Sequence, residues 1–473
     1  MEQNICDNLI AEIHALQSVP PSNINRGDDG MPKTAIFGGE KRGRISSQAW
    51  KHAIRKYFGT FFGDEWNGKR TLLFCEMVAD IITEIDFSIE RPLALTIAEE
   101  ALGKVDFDLN APKKGSDEKE EKEKENVSDE SKDSAYESKT LFFASVAQAN
   151  AVANLAVREY HVKTAVLSLL SDENGKQYET DKITAIGNAV VSKLNDILGK
   201  KDSLKALKNL FDIAGIEYKT GKKKETMPLD IPEKVIKELV AFACEQCDFS
   251  KAAYKAAMNE KPSVDMVLFG RMFAKDPDLN LDACCQVAHA LTTHAVRTEY
   301  DYFTAKDDLK EGKGAAMISD IPYLSGTFYR YSSINVTELA KYDLSESVAD
   351  IVQAYVEAFI KTIPSGKINS FGHSVLPEYI YIVVRNDRPL NLVNSFEKPI
   401  VSNGDGYLLR SEYALADKAS KYYDSGYVDK PDFEVCFDLN GDGPALGKKM
   451  KFNEMLEALN AYLAGHINFA SNN

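Results

Sequence analysis

No stretch of the 473 residues approaches about 18 uninterrupted apolar positions, so nothing reads as a membrane span. The opening residues, MEQNICDNLIAEIHALQS, carry early acids and no long apolar core, which argues against a secretory signal peptide. Cysteine is scarce. There are seven, an odd number, scattered at Cys6, Cys75, Cys244, Cys247, Cys284, Cys285 and Cys436. They read as reduced thiols of a cytoplasmic protein rather than a disulfide framework. Catalytic signatures are missing too. There is no Gly-x-Ser-x-Gly and no Walker A, and Gly441-x-Gly443-x-x-x-Gly447 misses the dinucleotide spacing. Positive charge is in deficit, with 57 Lys+Arg against 72 Asp+Glu and a net charge of −15. A uniformly negative surface repels nucleic acid. Length gives a prior of two to three domains of roughly 150 residues each.

The charge is not uniform. Residues 33–56 hold Lys33, Lys41, Arg42, Arg44, Lys51, Arg55 and Lys56 against Glu40 alone. Seven bases and one acid make a local +6 and leave −21 for the rest. Just before this block, Leu9, Ala11, Ile13 and Ala15 alternate with Glu12 and His14, the pattern of a half-buried strand. A loop rich in Pro, Asn, Asp and Gly follows and closes at Gly38-Gly39. Ser46 or Ser47 then caps a helix. Its apolar residues are Ala49, Trp50, Ala53, Ile54, Tyr57 and Phe58, and its polar residues, Gln48, Lys51, His52 and Arg55, share one face.

This chemistry suits a phosphate backbone. A glycine pair lets a polyanion come close to the chain. A helix start offers free N–H groups and the positive end of a dipole. Donors one turn apart follow phosphates without reading bases. The bland alternative is a solvated helix face.

Residues from about 70 to 265 have a helical pattern, interrupted at 113–134 by 22 residues with nine acids, six bases and no aromatic. That segment reads as a disordered insertion, and 221–224 as a Lys-rich loop. A helix is expected across 282–297, which would put His289 and His294 on different faces as packing residues. Residues 301–324 suggest a projecting loop or hairpin. Strands at 327–336 and Tyr379–Arg385 flank a helix near 345–362. The fold class is α+β, an antiparallel sheet with helices on one face.

Two metal motifs are weighed and set aside. Cys244-x-x-Cys247 with Cys284-Cys285 lacks a second zinc spacing. Asp438-x-Asn440-x-Asp442-Gly443 begins like an EF-hand loop, but Lys449 stands at the twelfth position, where a bidentate Glu belongs. A turn is expected there, and no metal or cofactor.

Several runs together resemble a known family. They are Asn25-Arg26-x-Asp28-Asp29, Lys33-Thr34-Ala35-Ile36-Phe37-Gly38-Gly39 and Arg44-Ile45-Ser46-Ser47-Gln48-Ala49-Trp50-Lys51. The segments SVDMVLFGRM (263–272), AHALTTH (288–294), DYFTAKDDL (301–309), GTFYRYSSIN (326–335) and NSFEK (394–398) follow in the same order. The chain resembles the CasC-type backbone subunit of the type I-E CRISPR Cascade complex.

The resemblance implies an RRM-like (ferredoxin-like) palm from 1–60, 266–299 and 326–473. It implies helical fingers at 61–265 and a thumb hairpin at 300–325. It implies a non-catalytic subunit that lines up with copies of itself along a crRNA. It also implies contact with other Cascade subunits, and with target DNA through guide pairing. Guide contacts would fall on Arg26, Lys33, Ser46, Gln48, Lys51 and Arg55. Lys41, Arg42, Arg44, Ser47 and His52 would lie in the same basic face, and Met272 and Phe303 would serve as apolar wedges. No RNP1 string occurs, in keeping with phosphate and sugar recognition. A guide holder must leave base edges free to pair. The alternative is a metal-dependent RNase using Asp28 or Asp29, as in type III backbone subunits.

Overall fold

The computed structural model describes residues 9–110, 136–171, 175–217, 231–245, 248–306, 314–344 and 346–467. The segments 113–134 and 221–224, with Cys6 and Cys247, lie outside them.

Strands β1 (Ile10–Ser22), β2 (Thr34–Phe37) and β3 (Glu40–Ile45) precede helix α1 (Ser47–Phe61). Then come β4 (Lys69–Thr71), α2 (Phe74–Ile85), α3 (Arg91–Gly103), β5 (Phe142–Ala144), α4 (Val146–Leu169), α5 (Thr180–Leu198), α6 (Lys200–Ala214), α7 (Glu233–Cys244) and α8 (Lys251–Asn259). The chain continues through α9 (Val264–Phe269), β6 (Cys285–Val287), β7 (Ala290–Thr292), β8 (Glu299–Lys306) and β9 (Gly314–Asn335). It ends with α10 (Val336–Leu339), α11 (Val348–Lys361), α12 (Ile368–Phe371), β10 (Tyr379–Arg385), α13 (Leu408–Asp424), β11 (Phe433–Asp438), β12 (Lys448–Lys449) and α14 (Phe452–Ile467).

The chain divides into two units. One comprises Lys69–Pro262 and Met272–Asn280, the other Met1–Gly68, Ser263–Arg271 and Leu281–Asn473. The first is helical, apart from the β4–β5 pair. Its longest helix, α4, starts at a capping box. The Ser145 hydroxyl accepts from the Gln148 N–H while the Gln148 side chain accepts from the Ser145 N–H. Phe74, Phe107, Phe142 and Phe273 form an aromatic knot in its core. The sequence reading gave all of 266–299 to the sheet-bearing part, but Met272–Asn280 belongs with these helices.

The second unit holds a sheet ordered β12-β11-β10-β1-β9-β7-β3-β2, with β6 and β8 also on β9. Every pair on it is antiparallel except β11–β12. Strand β1 is central, with Ile13 opposite Ile382 on one side and Ser332 on the other. The face with Ala11, Ile13 and Ala15 packs on α1, α11 and α14, as alternation requires. The expectation of one covered face fails. Tyr329, Tyr331, Tyr379 and Tyr381 on the other face pack under α13. Glu12 and His14 are therefore buried, not solvated.

Burial forces those two polar groups to find partners. Glu12 Oε1 accepts from the Tyr331 hydroxyl and the Leu390 N–H, and its Oε2 lies 3.4 Å from Arg385. His14 Nδ1 lies 2.8 Å from the Tyr329 hydroxyl, and Tyr331 and Tyr381 pack against the ring. Burial, with Arg385 adding to it, lowers the imidazole pKa to about 3.

An unfolded imidazole protonates near pH 6.5. Between those limits the unfolded chain binds the extra proton, so this stability is present above pH 6.5 and is lost on acidification. The slope is roughly 1.4 kcal/mol per pH unit. His14→Gln is expected to flatten it, read as urea midpoints of parent and variant at pH 7, 6 and 5. Glu12, whose raised pKa works in the opposite direction, is common to both. Parallel slopes would exclude His14 as the cause.

Candidate nucleic-acid interface

The basic block folds as a hairpin followed by a helix. Gly38 and Gly39 have φ of 60° and 80° and join β2 to β3. Two left-handed central residues make the tight turn whose twist matches the strands, which explains the glycine pair. A Cβ on Gly38 would collide with the Glu397 carbonyl. That position therefore makes room for the protein's own backbone rather than for a polyanion.

Arg42, next along the hairpin, is 0% exposed. Its guanidinium donates to the carbonyls of Thr292 (3.0 Å), Phe396 (2.8 Å) and Glu397 (3.3 Å). The expectation that it faces RNA is corrected, because it clamps the hairpin to the 394–398 segment.

The start of α1 is where cations gather. Ser46 is the N-cap, its hydroxyl accepting from the Ala49 N–H and its own N–H donating to Asn25 Oδ1 at 2.9 Å. The Lys33 N–H donates to the Asn25 carbonyl, and the Arg44 N–H to the Lys33 carbonyl. His289 joins them. Its Nδ1 accepts from the Ser47 N–H at 3.2 Å, which leaves the ring proton on Nε2. Arg44 Nη1 is 3.5 Å from the same ring. Burial, Arg44 and Lys33 all lower the His289 pKa. Lys33, Arg44 and a neutral imidazole thus converge on a helix N-terminus, an arrangement that attracts anions.

His289 was missed because a helix was expected over 282–297. The chain instead forms the short strands β6 and β7, whose Ala, Leu and Val residues do not distinguish strand from helix at three residues each. His294 does pack internally, stacked on Tyr407 with ring centres 3.6 Å apart.

Along α1, Gln48 and His52 are exposed and Lys51 is half-buried, its ammonium 5.4 Å from the Phe269 ring centre. Arg55 is committed elsewhere. Its Nε lies 2.6 Å from buried Asp265, and its Nη2 donates to the Gly68 carbonyl at 2.8 Å. The expected row of phosphate donors therefore loses its last member. Arg26 and Lys41 are exposed.

On β8, Phe303 is half-buried opposite Ser319. Tyr300 and Tyr302, which the sequence reading did not single out, present 60% and 62% of their surface on the other side of the strand. Met272 is 85% exposed and lies in the helical unit. Asp28 and Asp29 are both exposed, and Asp29 accepts from the Met31 N–H at 3.0 Å, ordering its own turn. Among the described residues, no helix is long and apolar enough to cross a membrane.

Fold and face together define a mixed α+β protein with a large antiparallel-rich sheet and a cationic helix start at one end of it. The chain belongs to the CT1975-like protein family, which matches residues 11–462. It resembles a solved chain of a "CRISPR RNA-guided surveillance complex, pre-nicking" at 26% identity and a TM-score of 0.63, covering 96% of this chain and 99% of that one. A chain of a "CRISPR RNA-guided surveillance complex" shares the fold at 23% identity and a TM-score of 0.56, with the same coverage. No curated protein matches.

Proposed function

We propose that this protein is a crRNA-binding backbone subunit of a CRISPR surveillance complex, arranged like the CasC-type subunit of type I-E systems. The observation that carries the reading is the convergence of Lys33, Arg44 and His289 on the start of α1, in a fold shared across 96% of the chain with a surveillance-complex subunit. A face of this kind grips phosphates and leaves base edges free, as a holder of arbitrary guides must.

In this reading the sheet is an RRM-like palm, the helical unit is the fingers, and the β8–β9 hairpin is the thumb. Copies line up on the guide beside the other subunits, and target DNA is met through guide pairing. Met272 and Phe303 act as wedges, with Tyr300 and Tyr302 offering further ring faces on the hairpin. The subunit does no chemistry of its own. The RNase alternative has little geometric support, since Asp29 is engaged in ordering its loop.

Co-expression with a crRNA and the partner subunits tests the proposal. The expected product is an assembly carrying protected RNA of defined length. Recovery of nucleic-acid-free protein under those conditions would overturn it.

A further inference from the structure

The turn after β11 begins like a calcium loop, at Asp438, Asn440 and Asp442, and lacks its closing glutamate. The fold brings a glutamate from elsewhere. Glu412, on α13, is 1% exposed, and its Oε2 has no hydrogen-bond partner. It is aimed at the turn. A Cβ built on Gly443 would meet Glu412 Oε2 first and Asp438 Oδ2 next, at 3.1 Å. One oxygen each from Glu412, Asp438 and Asp442 lies within 4.8 Å of the others. A buried carboxylate oxygen without a donor is costly unless a cation meets it. We infer that Glu412, Asp438 and Asp442 form a binding site for a hard divalent cation, calcium by the spacing of the loop, between α13 and the β11–β12 turn.

The donor set consists of carboxylates, which suits calcium or magnesium rather than a thiophilic metal. Magnesium demands near-ideal octahedral geometry and holds on to its water, whereas calcium accepts an irregular set of carboxylate and carbonyl oxygens, and the turn opens with the ligand spacing of a calcium loop at Asp438, Asn440 and Asp442.

The turn is already built. Asp438 Oδ1 accepts from the N–H groups of Asn440 (3.1 Å) and Gly441 (2.9 Å), and its Oδ2 accepts from Gly443 (2.9 Å). Binding therefore orders little new chain. Charge also favours a cation. Burial, and then Asp438, Asp442 and Glu378, push the Glu412 carboxyl up to about 7. One counter-charge is present: Lys449 Nζ lies 2.6 Å from Asp438 Oδ2 and 3.1 Å from the Gly441 carbonyl. That ammonium serves two loop oxygens and leaves Glu412 Oε2 unmet.

The full-length chain, stripped with EDTA, is titrated with terbium under tyrosine excitation. Tyr413 reaches the Asp442 carbonyl at 3.4 Å and Tyr379 reaches the Pro444 carbonyl at 2.8 Å, so both rings stand near enough to sensitise a bound ion. The expected result is saturable luminescence that calcium displaces with a Kd between about 10⁻⁶ and 10⁻³ M, and that magnesium displaces at least ten-fold less effectively. Glu412→Gln is expected to weaken calcium binding at least ten-fold while its melting temperature in EDTA stays at or above the parent's. Lys449→Met removes the competing ammonium and is expected to tighten binding. No saturable signal in the parent, or a Glu412→Gln protein that titrates like the parent, would overturn the site. Equal displacement by magnesium would overturn its assignment to calcium. The assay needs no RNA, so its failure says nothing against the RNA reading.

Discussion

Replacing Lys33 and Arg44 together by alanine is expected to lower affinity for guide RNA roughly ten-fold at 0.15 M salt, and to flatten the plot of log K against log salt by about 1.4. Both figures follow from counterion release at about 0.7 per phosphate of a single strand, for two lost contacts. The two side chains are the cations that His289 senses beside the start of α1. Their loss removes charge without removing the Arg42 clamp that holds the hairpin. Because phosphates carry no sequence, the drop should be the same for unrelated guides. Filter binding or fluorescence anisotropy with three spacers at four salt concentrations decides it. A loss confined to one spacer, or an unchanged slope, would mean that these residues do not meet the backbone.

Glu12→Ala is expected to remove about 3 kcal/mol from the stability of the sheet-bearing unit. The carboxylate is buried and holds the Tyr331 hydroxyl, the Leu390 N–H and Arg385 together. Deleting one partner of a buried ion pair leaves the other uncompensated, which typically costs about 3–5 kcal/mol. Arg385 keeps Asp387 at 2.6 Å and the Asp429 carbonyl, which puts the loss at the lower end. In a unit of this size the melting transition should fall by about 5 °C. Calorimetry checks it, and a shift under about 2 °C would show that the network contributes little.

The parts of the fold that were legible in the sequence are those whose signal is local. The Ser46 cap of α1 and the strand Tyr379–Arg385 stand where pattern and capping chemistry placed them. The alternation of β1 identified its apolar face. It misjudged the polar face, because Glu12 and His14 look solvent-facing until Tyr331 and Tyr381 stand beside them on the neighbouring strands and α13 covers that face. The interface was legible as a density of charge but not as an assignment of each charge. Arg42 bonds a carbonyl 354 positions away and Arg55 a carboxylate 210 positions away. No local pattern separates such arginines from Lys33 and Arg44, which lie half-buried beside His289. His289 was hidden for the converse reason, since its role depends on a three-residue strand. The proposed function rests on resemblance, since the chain belongs to the CT1975-like family and shares its fold with chains of CRISPR surveillance complexes, a likeness that singles out no subtype.

The sheet that carries this interface ends bluntly. One end of its main path is β12, two residues long, and the other is β2, with four. The longer β8, off that path, bears Glu299 and Asp301. Short or charged borders give a neighbouring molecule little open backbone to zip onto. Many copies crowded along one strand of RNA would bring such borders together at high local concentration. If copies line up on a guide as proposed, borders of this kind leave strand-to-strand stacking little to start from, so that the nucleic acid, and not the sheet, would set how far such an array grew.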